Sequence, residues 1–126
     1  MLDRAELVAF IPVTDIATAR SFYESALDLP VVEDSPFALV VNANGIRVRI
    51  TPVPGFRPQP FTIAGWGVAD IDATVAALGA RGVRFIHYDG IDQRADGVWT
   101  SPSGDLVAWF ADPDGNTLSL TEAARR

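Results

Sequence analysis

Histidine and cysteine, two side chains that often take part in catalysis, are nearly absent from this sequence. His87 is the only histidine, and there is no cysteine. An imidazole can act as a general base near neutral pH, but one histidine cannot build a metal site with several imidazole ligands. The lack of cysteine excludes disulfides, thiolate metal ligands and cysteine nucleophiles. His87 follows Val83 and Phe85 at strand spacing, so we expect a structural or surface histidine, with a general base as the alternative.

Two arginines alternate with apolar residues in the segment Ile46–Pro52. If this segment is a strand, Val48 and Ile50 lie on its covered face, and Arg47 and Arg49 lie on the opposite face. A guanidinium group pairs with carboxylate or phosphate. We therefore interpret both arginines as candidate ligand-binding residues, while solvated side chains on an exposed sheet face are the other interpretation.

The tryptophans are further candidates for ligand contact. Trp99 follows the glycine- and aspartate-rich stretch 89–97, which is typical of a loop at the rim of a site. Its indole could stack on a flat ligand, and packing in a core or dimer interface explains it equally well. Trp66 shares strand parity with Ala64 and Val68, so we expect it to pack under a helix.

Composition limits the function classes. The 126 residues are 48% hydrophobic and carry a net charge of −6, which suits one globular domain. The basic residues do not cluster except at Arg125-Arg126, so a nucleic-acid partner is not expected. No apolar run approaches the about 20 residues of a membrane span, and the first residues lack the pattern of a signal peptide. We expect a cytoplasmic protein.

Hydrophobic spacing and turn residues predict an alternation of strands and helices that restarts halfway along the chain. Asp15 and Asp70 are predicted to cap the two helices. The predicted helices are Ile16–Leu27 and Ile71–Ala80, and the predicted strands are Leu7–Val13, Pro30–Glu33, Phe37–Asn42, Ile46–Pro52, Thr62–Val68, Val83–Tyr88, Trp99–Pro102, Asp105–Ala111 and Thr117–Thr121.

The chain therefore contains an internal repeat. The junctions Val13-Thr14-Asp15-Ile16 and Val68-Ala69-Asp70-Ile71 each join a strand to a helix. We predict one α+β domain, 1–126, made of two tandem βαβββ modules with mixed sheets. The modules cover about 5–53 and 61–122, and the proline- and glycine-rich segment 53–60 links them.

A tight turn at Asp112-Pro113-Asp114-Gly115-Asn116 precedes the last strand. With the two Asp-Ile junctions, Phe22-Tyr23 and Gly82-Val83-Arg84-Phe85, this turn resembles the pattern of the vicinal-oxygen-chelate family. That family includes glyoxalase I, extradiol dioxygenases and bleomycin-resistance proteins, and the resemblance covers nearly the whole chain. It implies curved sheets that form a cup, helices on the outer face, and a homodimer.

The resemblance also implies where a metal would bind. In metal-dependent members a histidine lies seven residues before the junction aspartate, which gives Val8 and Ile63 here, and a glutamate in the last strand corresponds to Ser119. A divalent first-row metal needs imidazole and carboxylate donors, which these side chains do not supply. We therefore predict no metal and no cofactor.

The function that follows is binding of a small organic molecule in a mostly apolar groove. The predicted ligand-binding residues are Val8, Phe10, Arg47, Arg49, Ile63, Trp99 and Ser119. Two alternatives stay open. One is a metal-dependent lyase, isomerase or dioxygenase with atypical ligands. The other is a metal-free enzyme that uses His87, Tyr88 or an aspartate of 89–96 as acid or base.

Overall fold

The computed structural model describes residues 1–125 and divides the chain into two units, Met1–Arg57 and Pro58–Arg126. The boundary lies inside the proline- and glycine-rich segment 53–60. Each unit carries one four-stranded sheet. No helix in the described part of the chain is long and apolar enough to cross a membrane.

The first unit opens with a 3-10 turn at Leu2–Arg4 and then forms a mixed sheet. Its strands are β1 (Val8–Val13), β2 (Val31–Asp34), β3 (Leu39–Ala43) and β4 (Ile46–Pro52), and its helix is α1 (Ile16–Arg20), which continues as the π-helical turn Ser21–Ala26. The strand order is β1-β4-β3-β2. β1 runs parallel to β4, and β3 pairs antiparallel with β4 and β2.

A side-chain cap marks the start of the first helix, and a residue in left-handed conformation follows its end. The Asp15 carboxylate accepts from the Thr18 backbone N–H at 3.1 Å and from the Thr18 hydroxyl at 2.5 Å, which satisfies a backbone donor of the first turn. These hydrogen bonds lower the pKa of Asp15. After the π-helical turn, Asp28 adopts a left-handed conformation with φ 58, where the helix cannot continue. The helix predicted over Ile16–Leu27 is thus one continuous segment that changes from α to π.

One face of the first sheet is the core of the first unit. Ile11, Leu39, Val41 and Ile50 are 0–3% exposed, and pairing places Ile50 between Ile11 and Leu39. Tyr23, from the π-helical turn, is also fully buried. Burying such side chains stabilises the unit by about 1.5–3 kcal/mol each.

The second unit repeats this plan. Its strands are β5 (Thr62–Gly67), β6 (Trp99–Thr100), β7 (Leu106–Ala111) and β8 (Thr117–Glu122), and its helix is α2 (Ile71–Ala80). The order β5-β8-β7-β6, with β5 parallel to β8, matches that of the first sheet strand for strand. The protein is therefore an α+β fold of two tandem modules, as the sequence predicted.

Two carboxylates hold the start of α2. Asp70 accepts from the Ala73 N–H at 3.0 Å, as Asp15 does for the first helix. Glu122, at the end of β8, accepts from the Ile71 N–H at 2.9 Å. The last strand is thus fastened to the first turn of the helix, and the anionic group also suits the positive end of the helix dipole.

The predicted strand Val83–Tyr88 is wrong. Only Phe85 bridges to β7, at Phe110, and the Ile86 N–H donates to the Trp109 carbonyl at 2.8 Å. The side chain of Gln93 prevents a longer ladder, because its amide donates to the Ile86 carbonyl at 3.0 Å and accepts from the Tyr88 N–H at 2.7 Å. Backbone groups that a neighbouring strand would pair are therefore bonded to a side chain.

The turn before β8 is a buried hydrogen-bonded unit. Asp112 Oδ1 accepts from the backbone N–H groups of Asp114 and Asn116 at 3.0 and 2.8 Å, and its Oδ2 accepts from the Asn116 side-chain amide at 2.8 Å. Asp112 and Asn116 are 5% and 1% exposed, and Gly115 takes φ +87. The turn motif therefore sets the entry of β8.

Candidate functional site

The exposed face of the first sheet brings together four predicted ligand-binding residues. Val8 pairs with Arg47, and Phe10 pairs with Arg49, and side chains of directly paired residues lie on one face of a sheet. Val8 is 38% exposed and Phe10 is 65% exposed. The face thus combines exposed apolar groups with two cations, which is the combination that strand alternation indicated.

The two arginines differ in their partners. Arg49 lies 4.0 Å from a carboxylate oxygen of Glu33 across Val40, which pairs with both residues. At this distance and exposure the ion pair adds little stability. Arg47 makes no ion pair with a carboxylate of residues 1–125 and lies opposite Asn42 in β3. Arg47 is the cation on this face that is available to an acidic ligand group.

Thr51 follows Arg49 at strand spacing and pairs with Pro12. Its hydroxyl oxygen is buried and has no hydrogen-bond partner among the described residues. A buried hydroxyl without a partner costs about 1–3 kcal/mol. Thr51 therefore adds an unused polar atom to the row that contains both arginines.

The exposed face of the second sheet carries an aromatic cluster that we define as Tyr88, Trp99 and Trp109. The Trp99 and Trp109 ring centroids are 5.9 Å apart with planes 34° from parallel, and the Tyr88 ring meets Trp109 edge-on at 5.3 Å. Tyr88 is 41% exposed, and the two indoles are half-buried. These distances are typical of favourable aromatic pairs, and the cluster presents flat ring surface beside the sheet.

Ser119 connects this aromatic cluster to the centre of the second sheet. Ser119 pairs with Trp109 on one side and with Gly65 on the other, so the three residues form one row across β5, β8 and β7. A Cβ added at Gly65 would collide with the Ser119 hydroxyl. The missing side chain therefore leaves the hydroxyl uncovered beside Trp109.

Sequence reasoning missed the central member of the aromatic cluster. Trp99 was predicted to bind ligand, but Trp109 was not. Trp109 alternates with the buried Ala108 and Phe110 of β7, and that alternation was the signal available. Trp66 lies on the other face, stacked on Phe110 with centroids 6.2 Å apart, which agrees with its expected packing position.

Ile63 does not follow simple alternation. Thr62 pairs with Thr117 and Ala64 pairs with Leu118, so the register skips Ile63. This irregularity is a β-bulge, which redirects side chains at that point. Strand alternation therefore does not predict on which face the Ile63 side chain lies. Gly65, after the bulge, does pair with Ser119.

The residues present do not fit the divalent metal that the resemblance implies. The mapped positions are Val8, Ile63 and Ser119, of which only Ser119 has a donor atom, and a neutral hydroxyl is a weak ligand for such a metal. No group of three or more His, Asp or Glu side chains suited to holding a metal occurs among residues 1–125.

The acid–base candidates are separated by their contacts. His87 Nε2 lies 3.3 Å from the Arg94 carbonyl oxygen, whereas the Tyr88 ring packs on Trp109. Neither side chain is hydrogen-bonded to a carboxylate in the described part of the chain. The two side chains therefore lie in different surroundings, the imidazole beside a backbone carbonyl and the phenol ring beside an indole.

Comparison with known proteins identifies the family. A family model described as the Glyoxalase/Bleomycin resistance protein/Dioxygenase superfamily matches residues 3–120. The chain belongs to this superfamily. No curated protein sequence is similar enough to this chain to match it.

Solved structures share the fold over nearly the full length. A member of the same superfamily from Sphaerobacter thermophilus DSM 20745 is 25% identical, with a TM-score of 0.74 and coverage of 98% of this chain and 100% of its own. TnmS3, an antibiotic binding protein from Streptomyces sp. CB03234, is 24% identical, with a TM-score of 0.70 and coverage of 98% and 99%. A lactoylglutathione lyase from Agrobacterium tumefaciens is 15% identical, with a TM-score of 0.72 and coverage of 95% and 94%.

Proposed function

We propose that this protein binds a small organic molecule with a flat aromatic group, and that it does so without a catalytic metal. The observation that carries the proposal is the aromatic cluster of Tyr88, Trp99 and Trp109 beside the uncovered hydroxyl of Ser119. Aromatic surface with one or two polar groups is typical of sites for small organic ligands.

The first unit carries a candidate surface of its own, and its electrostatics favour a ligand with an acidic group. Arg47 and Arg49 lie with Val8 and Phe10 on the exposed face of the first sheet, and Arg47 has no carboxylate partner within residues 1–125. A guanidinium pairs with a carboxylate in two-pronged geometry. Aromatic acids are therefore the first class to test.

The structural relatives are consistent with either binding or catalysis. One is described as an antibiotic binding protein and another as a lactoylglutathione lyase, and one fold supports several chemistries. The residues at the mapped metal positions favour ligand binding over metal-dependent catalysis, because the side chains of Val8 and Ile63 have no atom that could coordinate a metal.

Elemental analysis tests the metal part of the proposal. Protein purified without a metal-affinity tag or chelator would be dialysed against Fe, Mn, Ni and Zn in turn, and then against metal-free buffer. We expect far less than one equivalent of each metal to remain. One tightly held equivalent would contradict the proposal and favour the metal-dependent alternative.

A ligand screen tests the binding part. Thermal shift would be measured with 2-naphthoate, uncharged 2-naphthamide, a glycopeptide antibiotic and a glutathione thioadduct. A ligand that binds the folded state raises the melting temperature by mass action. We expect 2-naphthoate to stabilise the protein more than 2-naphthamide does. Equal shifts in melting temperature for these two compounds would show that the arginines do not contribute to binding. No shift with any compound would contradict the proposed ligand class.

We further propose that the protein is a cytoplasmic homodimer. Apolar side chains such as Phe10, Phe37 and Phe61 are 65%, 78% and 59% exposed, and exposed aromatic groups are enriched in interfaces. Sedimentation velocity over a range of protein concentrations would test the assembly. A species of 13.5 kDa at all concentrations would contradict it.

A further inference from the structure

A cavity of about 500 Å³ that opens to solvent lies in the second unit, between α2 and the segment 84–96, and most of its lining residues are exposed. It is not on the exposed sheet face, because its wall includes Phe85, whose ring packs on the core residue Phe110. We propose that this cavity is a separate binding site for a small organic carboxylate with a compact apolar body. The residues that line it are Val75, Ala76, Gly79, Arg84, Phe85, His87, Ala95 and Asp96.

The cavity exists because small residues face it. Ala76, Gly79 and Ala95 occupy positions where larger side chains would fill the space, and a Cβ added at Gly79 would meet no atom within 4 Å. Gly79 lies in the last turn of α2, and its missing side chain keeps the cavity open.

Hydrogen bonds hold the opposite wall in place. The Arg94 guanidinium bonds to Asp72 of α2 and lies 3.4 Å from Asp96, so it ties the segment 93–97 to the helix. The hydrogen bond with Asp72, and secondarily the nearby Asp96 charge, raises the pKa of Arg94. The Gln93 amide also donates to the Gly97 carbonyl at 2.7 Å. The cavity is therefore bounded by a fixed segment.

One cation of the lining has no carboxylate partner. Asp96 shares the Arg94 guanidinium with Asp72 and accepts from the Val98 N–H at 3.1 Å. Arg84 makes no ion pair with a carboxylate of residues 1–125, which leaves it as the uncompensated charge on the wall. An arginine in this state is suited to a carboxylate of a bound molecule.

The rest of the wall restricts the type of anion. Val75, Ala76 and Phe85 are apolar, and their side chains offer no hydrogen-bond partner to a strongly hydrated ion such as phosphate. An apolar body that touches these side chains while its carboxylate meets Arg84 satisfies both parts of the wall. The volume lies within the range of small-molecule sites, and benzoate is a suitable probe.

His87 can report binding by NMR, because it is the only histidine of the chain and lies in the cavity wall. Its ring proton signals would be followed by NMR at constant pH during titration with benzoate, benzamide and benzylamine. We expect saturable shifts with benzoate and much smaller shifts with the other two. Equal shifts with benzamide, or shifts confined to the indole signals of Trp99 and Trp109, would overturn the proposal.

Two variants test the site, with matched controls. Arg84→Gln should weaken benzoate binding about tenfold or more, through loss of a charged hydrogen bond, whereas Arg57→Gln should leave it unchanged. Gly79→Leu should abolish the shifts by filling the cavity, and leucine is a good helix former. Trp109→Leu should leave the benzoate-induced shifts of the His87 signals unchanged. Unchanged affinity in both Arg84→Gln and Gly79→Leu would overturn the proposal.

Discussion

The hydroxyl of Ser119 occupies the space that a side chain at Gly65 would need. These residues face each other across the parallel pair β5 and β8, so the choice of one limits the other. The same contact leaves a polar atom open beside Trp109, and the packing of the strand pair is thus linked to the candidate site.

Replacing Gly65 by alanine tests this contact. We expect Gly65→Ala to lower the free energy of unfolding by about 1 kcal/mol, because the new methyl group forces the Ser119 hydroxyl from its position. The double variant Gly65→Ala with Ser119→Ala should recover most of the loss, since only the Ser119 backbone oxygen at 3.4 Å and its Cβ at 3.7 Å then remain near the methyl group. Urea unfolding of the four proteins gives the coupling energy. Gly67→Ala is the control, because its Cβ would meet nothing within 4 Å.

Removal of Trp109 should weaken ligand binding more than it weakens the fold. We expect Trp109→Leu to reduce affinity for 2-naphthoate about three- to tenfold, which corresponds to the loss of one aromatic pair. Trp66→Leu should instead reduce stability and leave affinity unchanged, because Trp66 stacks on Phe110. Fluorescence titration and urea unfolding measure the two effects. A larger affinity loss in Trp66→Leu would show that the ligand does not bind on the aromatic cluster.

The turn before β8 should be costly to disrupt. Asp112→Ala removes three hydrogen bonds that the buried carboxylate accepts, two of them fully buried, and we expect a loss of about 2–4 kcal/mol because buried donors are left without partners. Asn42→Ala is the comparison. Asn42 accepts from the Gly45 N–H at 2.7 Å in an exposed turn, so its loss should be about 1 kcal/mol or less. If thermal unfolding showed similar losses of stability for Asp112→Ala and Asn42→Ala, burial would not explain the cost of disrupting the turn.

The Asp15 cap should titrate below the ordinary aspartate range. The Thr18 hydroxyl, followed by the Thr18 N–H, lowers the pKa of Asp15 from 3.8. Its contribution to stability is therefore complete above the unfolded pKa, and it is lost as pH falls through the folded pKa. Thr18→Val should raise the pKa of Asp15, whereas Thr18→Ser should keep it low. Carboxyl carbon NMR titration distinguishes the two, and equal values in both variants would refute the assignment.

Thr51 should be replaceable without loss. Its buried hydroxyl has no partner among residues 1–125, so Thr51→Val removes an unsatisfied group and keeps the shape. We expect a change between zero and about 1 kcal/mol of added stability. The exposed Thr62→Val serves as the control. A marked loss of stability, measured by calorimetry for Thr51→Val but not for Thr62→Val, would show that the Thr51 hydroxyl has a hydrogen-bond partner in solution.

The sequence predicted those parts of the fold that depend on local pattern. The bounds of α2 and β4 agree with prediction, because Asp70 and the alternation of Arg47 to Ile50 are short-range signals. The same alternation placed both arginines on one face with Val8 and Phe10. These features require only the chemistry of neighbouring residues.

The features that prediction missed depend on contacts between distant residues. Gln93 bonds the backbone around Ile86 and prevents the strand expected there. The bulge at Ile63 interrupts the alternation used to assign that strand. Alternation in β7 indicated the face of Trp109, but its ring contacts with Tyr88 and Trp99 depend on other segments of the chain.

The position of β8 has a consequence for the order of folding during synthesis. β8 lies between β5 and β7, although it is made after both of them. Until the ribosome has added residues 117–122, β5 has no strand to pair with, and the hairpin of β6 and β7 lacks its partner for β7. The second sheet therefore closes in a single late step, when β8 joins both halves and Glu122 reaches the start of α2.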